Sequence, residues 1–182
     1  MDTVFIVRAF GNKRPVIKKS NEGVPEIEFF DFDRVETDLI KPAMDKLELI
    51  GGTTGEVHES GEIREDMFSA LLLADIVIAD ITIYNANVFY ELGVRHALRN
   101  KRTVLIQCPG YDEAPFDIKG YRYITYKKDN PGDALDELVL TLKETMDADR
   151  VDSPVFNMLP KLEQQDLEKF HAVPDEFGEE VT

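Results

Sequence analysis

Between Leu71 and Asn100 the chain reads LLLADIVIADITIYNANVFYELGVRHALRN, and this stretch constrains the fold most tightly. Ile76 to Ala79 is a short, largely β-branched run with an acid on each side, Asp75 and Asp80. That is the pattern of a strand buried on both faces of a parallel sheet. A parallel neighbour requires a crossover, so a helix has to follow. Asn85 and Asn87 are both good N-cap residues, and Val88, Leu92, Val94 and Leu98 recur at helical spacing. On this reading Glu91 falls in the first helical turn. Ligands in open α/β sheets bind beyond the carboxyl ends of the strands, where strand order reverses. Asp80, Tyr84, Asn85, Asn87 and Glu91 all fall at such an end and are the first site candidates.

The rest of the chain supplies the partners of that strand. Thr3 to Phe10 is β-branched and aromatic, a strand that Gly11 terminates. Arg8 lies near its carboxyl end, either as a ligand contact or as half of a structural ion pair, and Phe10 is a candidate for core packing or for stacking on a base. Gly11 to Phe30 shows no clear period beyond a short extended piece at Glu26 to Phe30. The basic cluster Lys13, Arg14, Lys18 and Lys19 in it reads as a phosphate-contacting flap or a solvated loop. Phe32, Val35, Leu39, Ala43 and Leu47 form a helical stripe capped by Asp31 or Asp33, with Pro42 predicting a kink or break near Lys41.

Leu47 to Ile50 reads as a second strand ended by Gly51-Gly52, and Ser60 caps a helix carrying Ile63, Met67, Ala70 and Leu71 on one face. Thr103 to Cys108 and Arg122 to Tyr126 are two further strands. A helix with Leu135, Leu138, Val139 and Leu142 follows the turn at Asn130. The alternation predicts an α/β, flavodoxin-like three-layer sandwich around a five-stranded, mainly parallel sheet of order 2-1-3-4-5. The domain is expected to occupy residues 1–147. An acidic, proline-containing tail over 148–182 is expected to add little to the core.

Composition narrows the function classes. A net charge of −15 disfavours a partner bound through its phosphate backbone, so direct nucleic-acid binding is not expected. No apolar run approaches a bilayer span, so no membrane association is expected. The single cysteine, Cys108, excludes an internal disulfide framework and suits a reducing compartment, and a cytoplasmic location is the corresponding expectation. No Cys/His spacing suggests a metal, and no GxxxxGK[ST] loop is present.

With these residues in view, Phe5 to Gly11, Asp31 to Asp33, Ile40 to Ala43, Ala74 to Asp80 and Asn85 to Leu98 together resemble bacterial TIR-like domains. Those are similar to the N-terminal region of apoptosis signal-regulating kinases. The likeness spans roughly Thr3 to Met146, is most specific from Asp75 to Leu98, and departs from the family pattern at Arg8 and at Gly51 to Gly55. Asn-Val-Phe-Tyr-Glu-Leu-Gly also resembles nucleoside 2-deoxyribosyltransferases. Both likenesses imply a nucleotide-binding cleft in which a glutamate matching Glu91 attacks or stabilises the ribose at its N-glycosidic bond.

A carboxylate in a first helical turn is held ionised by the backbone N–H groups there, and an ionised carboxylate suits a nucleophile or an oxocarbenium stabiliser. Three functions follow. The first is an NAD nucleosidase, needing no cofactor and taking NAD as substrate, since nicotinamide leaves as a neutral base. The second is a nucleoside 2-deoxyribosyltransferase, in which Asp80 would be the second carboxylate, protonating the departing base. The third is a nucleotide-sensing or self-assembling signalling module without turnover. The substrate-side candidates are Arg8, Phe10, Gly11, Asp80, Tyr84, Asn85 and Asn87. The partners implied are a small nucleotide and a second copy of the chain.

Overall fold

The structure, a computed structural model, describes residues 1–9, 14–19, 25–53, 63–112, 115, 118, 120–164, 166 and 167. Seven strands are defined among them: β1 (Thr3–Val7), β2 (Arg14–Lys19), β3 (Pro25–Phe30), β4 (Ile50–Gly52), β5 (Ile76–Asp80), β6 (Thr103–Gln107) and β7 (Tyr123–Thr125). Five of them form an all-parallel sheet of order β4-β1-β5-β6-β7. Counted within the sheet, this is the flavodoxin-like order 2-1-3-4-5 expected from the sequence, and strand order reverses between β1 and β5.

Period-two alternation sorts each inner strand onto two faces. Val4, Ile6, Ile76, Ile78, Val104 and Ile106 pack into one core with Phe32, Leu39, Leu138 and Leu142. Phe5, Val7, Val77, Ala79 and Leu105 pack into the other with Leu71, Val88 and Leu92. The first face is covered by α1 (Phe32–Val35), α2 (Lys41–Lys46) and α5 (Leu135–Asp147); the second by α3 (Ile63–Leu73) and α4 (Ala86–Leu98). All five residues of β5 are buried, as its double-sided position demands.

Pro42 does not break its helix. Between α1 and α2 the chain makes one wider π turn over Glu36–Ile40, in which the Lys41 amide reaches back to the Glu36 carbonyl. Proline has no N–H for the Asp38 carbonyl, four residues earlier. The backbone of Gly132 approaches that carbonyl so closely that a Cβ there would lie 3.2 Å from it. The first helix is capped by Asp31, whose Oδ1 accepts from the Arg34 amide at 3.0 Å.

Two expected boundaries move. Leu47 and Glu48 belong to the turn that ends α2, where Glu48 takes a φ of 54°, and Gly51 and Gly52 lie inside β4 rather than closing it. Gly51 is required there: its φ is +131°, and a built Cβ would sit 1.9 Å from the Val4 carbonyl oxygen. The segment read as largely aperiodic contains β2 paired antiparallel with β3, with Lys18 opposite Glu26 in the register.

The start of the acidic tail packs on the domain. The Asp152 carboxylate accepts from the Arg102 and Thr103 amides at 2.6 and 3.0 Å, and the Ser153 hydroxyl donates to the His96 carbonyl at 2.6 Å. The short helix α6 (Pro154–Met158) then buries Phe156. Residues 152–158 thus pack on the domain, beyond the boundary at 147 expected from the sequence. A weak apolar pattern in sequence is enough when one aromatic and two hydrogen-bonding side chains, Asp152 and the helix cap Ser153, find partners.

Candidate functional site

The reversal point between β1 and β5 places Asp80, the last residue of β5, beside a loop that runs to Asn85 and into α4. Asp80 is 2% exposed. Its Oδ1 accepts from the Thr82 amide at 2.9 Å and contacts the Thr82 hydroxyl at 2.5 Å, while Oδ2 lies 2.6 Å from the Tyr126 hydroxyl. The Thr82 and Tyr126 hydroxyls are 2.8 Å apart, and the Thr82 oxygen also accepts from the Cys108 amide at 2.9 Å. Burial raises the Asp80 carboxyl above the ordinary range, against the lowering effect of these donors and of Arg8. Both Asp80 oxygens are thus engaged by the protein's own groups.

Of the two asparagines, Asn85 is the N-cap: its side-chain oxygen accepts from the Asn87 and Val88 amides at 2.9 and 3.4 Å. It is buried, whereas Asn87 is exposed on the first turn. Tyr84 is 68% exposed, its ring centroid 5.3 Å from that of Phe89 and its amide donating to Asp112. A solvent-facing aromatic at this end of the sheet is a platform on which a flat base could stack.

Because Asn85 caps the helix, Glu91 is its sixth residue, in the second turn; no acid stands in the first. The expected N–H support for its anion is absent at that depth. Glu91 is half-buried, and among the described residues its carboxylate has no hydrogen-bond or ion-pair partner. Burial pushes its pKa up from 4.5 to about 7. The sequence reading of a firmly ionised Glu91 is corrected accordingly: near neutrality this carboxyl exchanges its proton readily.

Arg8, just past β1, is held by two acids of the helix that follows the hairpin. Its guanidinium bonds to Glu36 through Nε and lies 2.9 Å from Asp33 through Nη2. Glu36 sits in the π turn and is 5% exposed, with Lys41 at 3.1 Å as its other cation. Phe10, Gly11 and Lys13 lie outside the described residues. Arg14, Lys18 and Lys19 belong to the backbone of the β2–β3 ribbon, not to a structureless flap.

The far end of α4 is structural. Arg95 is fully buried and donates to the Leu71 and Ala74 carbonyls, both at 2.8 Å, closing the end of α3. Burial and the neighbouring Arg99 lower its pKa to about 9. His96 is buried beside Tyr121, and burial lowers its pKa to about 4.

Three participants were missed from the sequence. Thr82, two residues after Asp80, carries a local signal, since an Asp-x-Thr step favours a side-chain-closed turn. Tyr126 and Glu36 carry none, because only the sheet order and the π turn bring them in. Among the described residues no His, Cys, Asp and Glu side chains gather in a group that could hold a metal ion, and no helix is long and apolar enough to cross a membrane. No model of a known protein family matches the chain, and no curated protein does.

Proposed function

We propose that the chain binds an NAD-type nucleotide at the carboxyl ends of β1 and β5 and hydrolyses its N-glycosidic bond, with Glu91 as the carboxylate at the anomeric carbon. The supporting observation is Glu91 itself: half-buried, unpartnered among the described residues, with a pKa near 7, on the helix that leaves the reversal point. An acid left without partners in a partly desolvated position costs stability, and such costs cluster where chemistry needs them. In the reaction the C1′–N bond breaks with its electron pair going to nicotinamide. The ionised Glu91 offsets the positive charge at C1′, and water adds there, releasing a proton.

The leaving group discriminates between the two enzyme readings. Nicotinamide departs neutral, so one carboxylate suffices. A deoxynucleoside transfer would call on a second acid for the base, and the candidate for it, Asp80, has both oxygens committed. Tyr84 is assigned to stack on a base, Asn87 to the polar rim of the site, and Arg8 and Asn85 to positioning through their protein partners.

The test is product analysis. Purified protein is incubated with NAD and, separately, with a deoxynucleoside and a free acceptor base. Free nicotinamide and ADP-ribose are expected. Base exchange instead would establish the transferase reading. Neither product, with nucleotide binding retained at high protein concentration, would establish a sensing or self-assembling module.

A further inference from the structure

We propose that Asp80 is held as the neutral acid and that its proton closes a ring of three hydrogen bonds with Tyr126 and Thr82, a proton-dependent lock on the loop that launches α4. The argument is a proton count. Three oxygen pairs are in contact, Asp80–Thr82 at 2.5 Å, Thr82–Tyr126 at 2.8 Å and Tyr126–Asp80 at 2.6 Å, yet the two hydroxyls supply only two protons. With Asp80 ionised, one of the three contacts sets two oxygens against each other with no hydrogen between them. A third proton on Oδ2 satisfies all of them in one sense of rotation. The Asp80 acid donates to the Tyr126 hydroxyl, Tyr126 donates to Thr82, and Thr82 donates to Asp80 Oδ1.

The remaining acceptor positions are filled by backbone. Thr82 N–H donates to Asp80 Oδ1, and Cys108 N–H to the Thr82 hydroxyl. The ring therefore ties the ends of β5 and β6 and the residue after β7 to residues 81–85, whose last member caps α4. Desolvation of the fully buried acid acts in the same direction. The groups that face it leave the balance there. Arg8 favours the anion but is itself paired with Asp33 and Glu36. The Cys108 thiol stays neutral, its pKa pushed up to about 11 by burial, and the Tyr126 phenol is raised further still by burial and by Asp80.

The test is Asp80→Asn in the full chain. An asparagine amide reproduces the neutral acid, its NH2 donating to Tyr126 and its oxygen accepting from Thr82. The expected result is a variant within about fivefold of wild type in unfolding equilibrium constant at about pH 4, where ionisation of the unfolded aspartate costs the wild type little, and more stable than wild type at pH 7. Relative to it, the wild type should lose stability about tenfold per pH unit above pH 4–5, because the unfolded aspartate ionises there while the folded one keeps its proton. A variant destabilised a hundredfold or more, with a difference from wild type that does not change between pH 5 and 8, would overturn the proposal. If Asp80→Asn does not fold, carboxyl-13C NMR of aspartate-labelled protein decides. The proposal expects one neutral-acid resonance at pH 7 that persists in Asp152→Asn, the other aspartate raised by burial among the described residues. Its absence would refute the lock, whatever the protein does to NAD.

Discussion

Glu91 shows how helix register decides a chemical reading. With Asn85, rather than the other cap candidate Asn87, starting the helix, the carboxylate lies two positions deeper, out of reach of the first-turn amides, and burial is the dominant influence. Its folded pKa of about 7 exceeds the ordinary 4.5. Below 4.5 the acid is protonated in both states, and no stability is lost. Between 4.5 and 7 the unfolded chain gives up the proton first, so stability falls as pH rises and levels off above 7. Glu91→Gln should therefore melt like wild type at pH 4 but higher at pH 8, by about 1–2 kcal/mol after allowance for partial solvent screening. A lower melting temperature for the variant at pH 8 would restore the helix-dipole view. Arg95 behaves oppositely. Arg95→Met leaves the Leu71 and Ala74 carbonyls without their donor and should cost about 3 kcal/mol or more at any pH between 5 and 8, measured by urea unfolding.

At the scale of elements, two edges carry weight that composition conceals. Gly51→Ala places a methyl group against the Val4 carbonyl and should strip β4 from the sheet, costing on the order of 2–4 kcal/mol, with amide protection lost first at Thr3 to Phe5. Ending the chain at Arg150 removes the Asp152 and Ser153 bonds and the buried Phe156. That should lower the melting temperature by roughly 10 °C, whereas a chain ending at residue 164 should match the full chain. The inner strands β1, β5 and β6 were legible because each is a short apolar run closed by turn residues, and their order followed from handedness rules. β2 was not: Arg14–Lys19 alternates weakly and includes Pro15, so its pairing depends on a partner strand that only the fold supplies. Pro42 was legible as a perturbation but not in its outcome, because a π turn and a kink relieve the same missing N–H. Of the candidate site, Asp80, Tyr84, Asn85 and Glu91 were picked out by their place after one strand, while Tyr126 and Glu36, 46 and 28 residues from their partners Asp80 and Arg8, had no local signal.

For the whole molecule, the buried titrating groups set a common pH response. Asp80, Glu91 and Asp152 are all raised by burial, so each withdraws stability as pH rises from about 4 towards neutrality. His96 is lowered from 6.5 to about 4, so its contribution is present above 6.5 and lost as pH falls towards 4. Among the described residues three buried carboxyls act in this sense and one imidazole in the other, and a net charge of −15 adds self-repulsion at higher pH. Thermal stability should peak near about pH 5 rather than at neutrality, which a melting series from pH 4 to 8 will show. Activity should run the other way, because the proposed reaction uses the Glu91 anion that folding resists. The decisive measurement is the rate of nicotinamide release from NAD by wild type and Glu91→Gln between pH 5.5 and 8.5. The wild-type rate should rise through a single ionisation near pH 7 to a plateau. The variant should be at least a hundredfold slower across the range, with its fold and nucleotide affinity intact. Equal rates for the two proteins would contradict the assignment of Glu91 as the catalytic carboxylate.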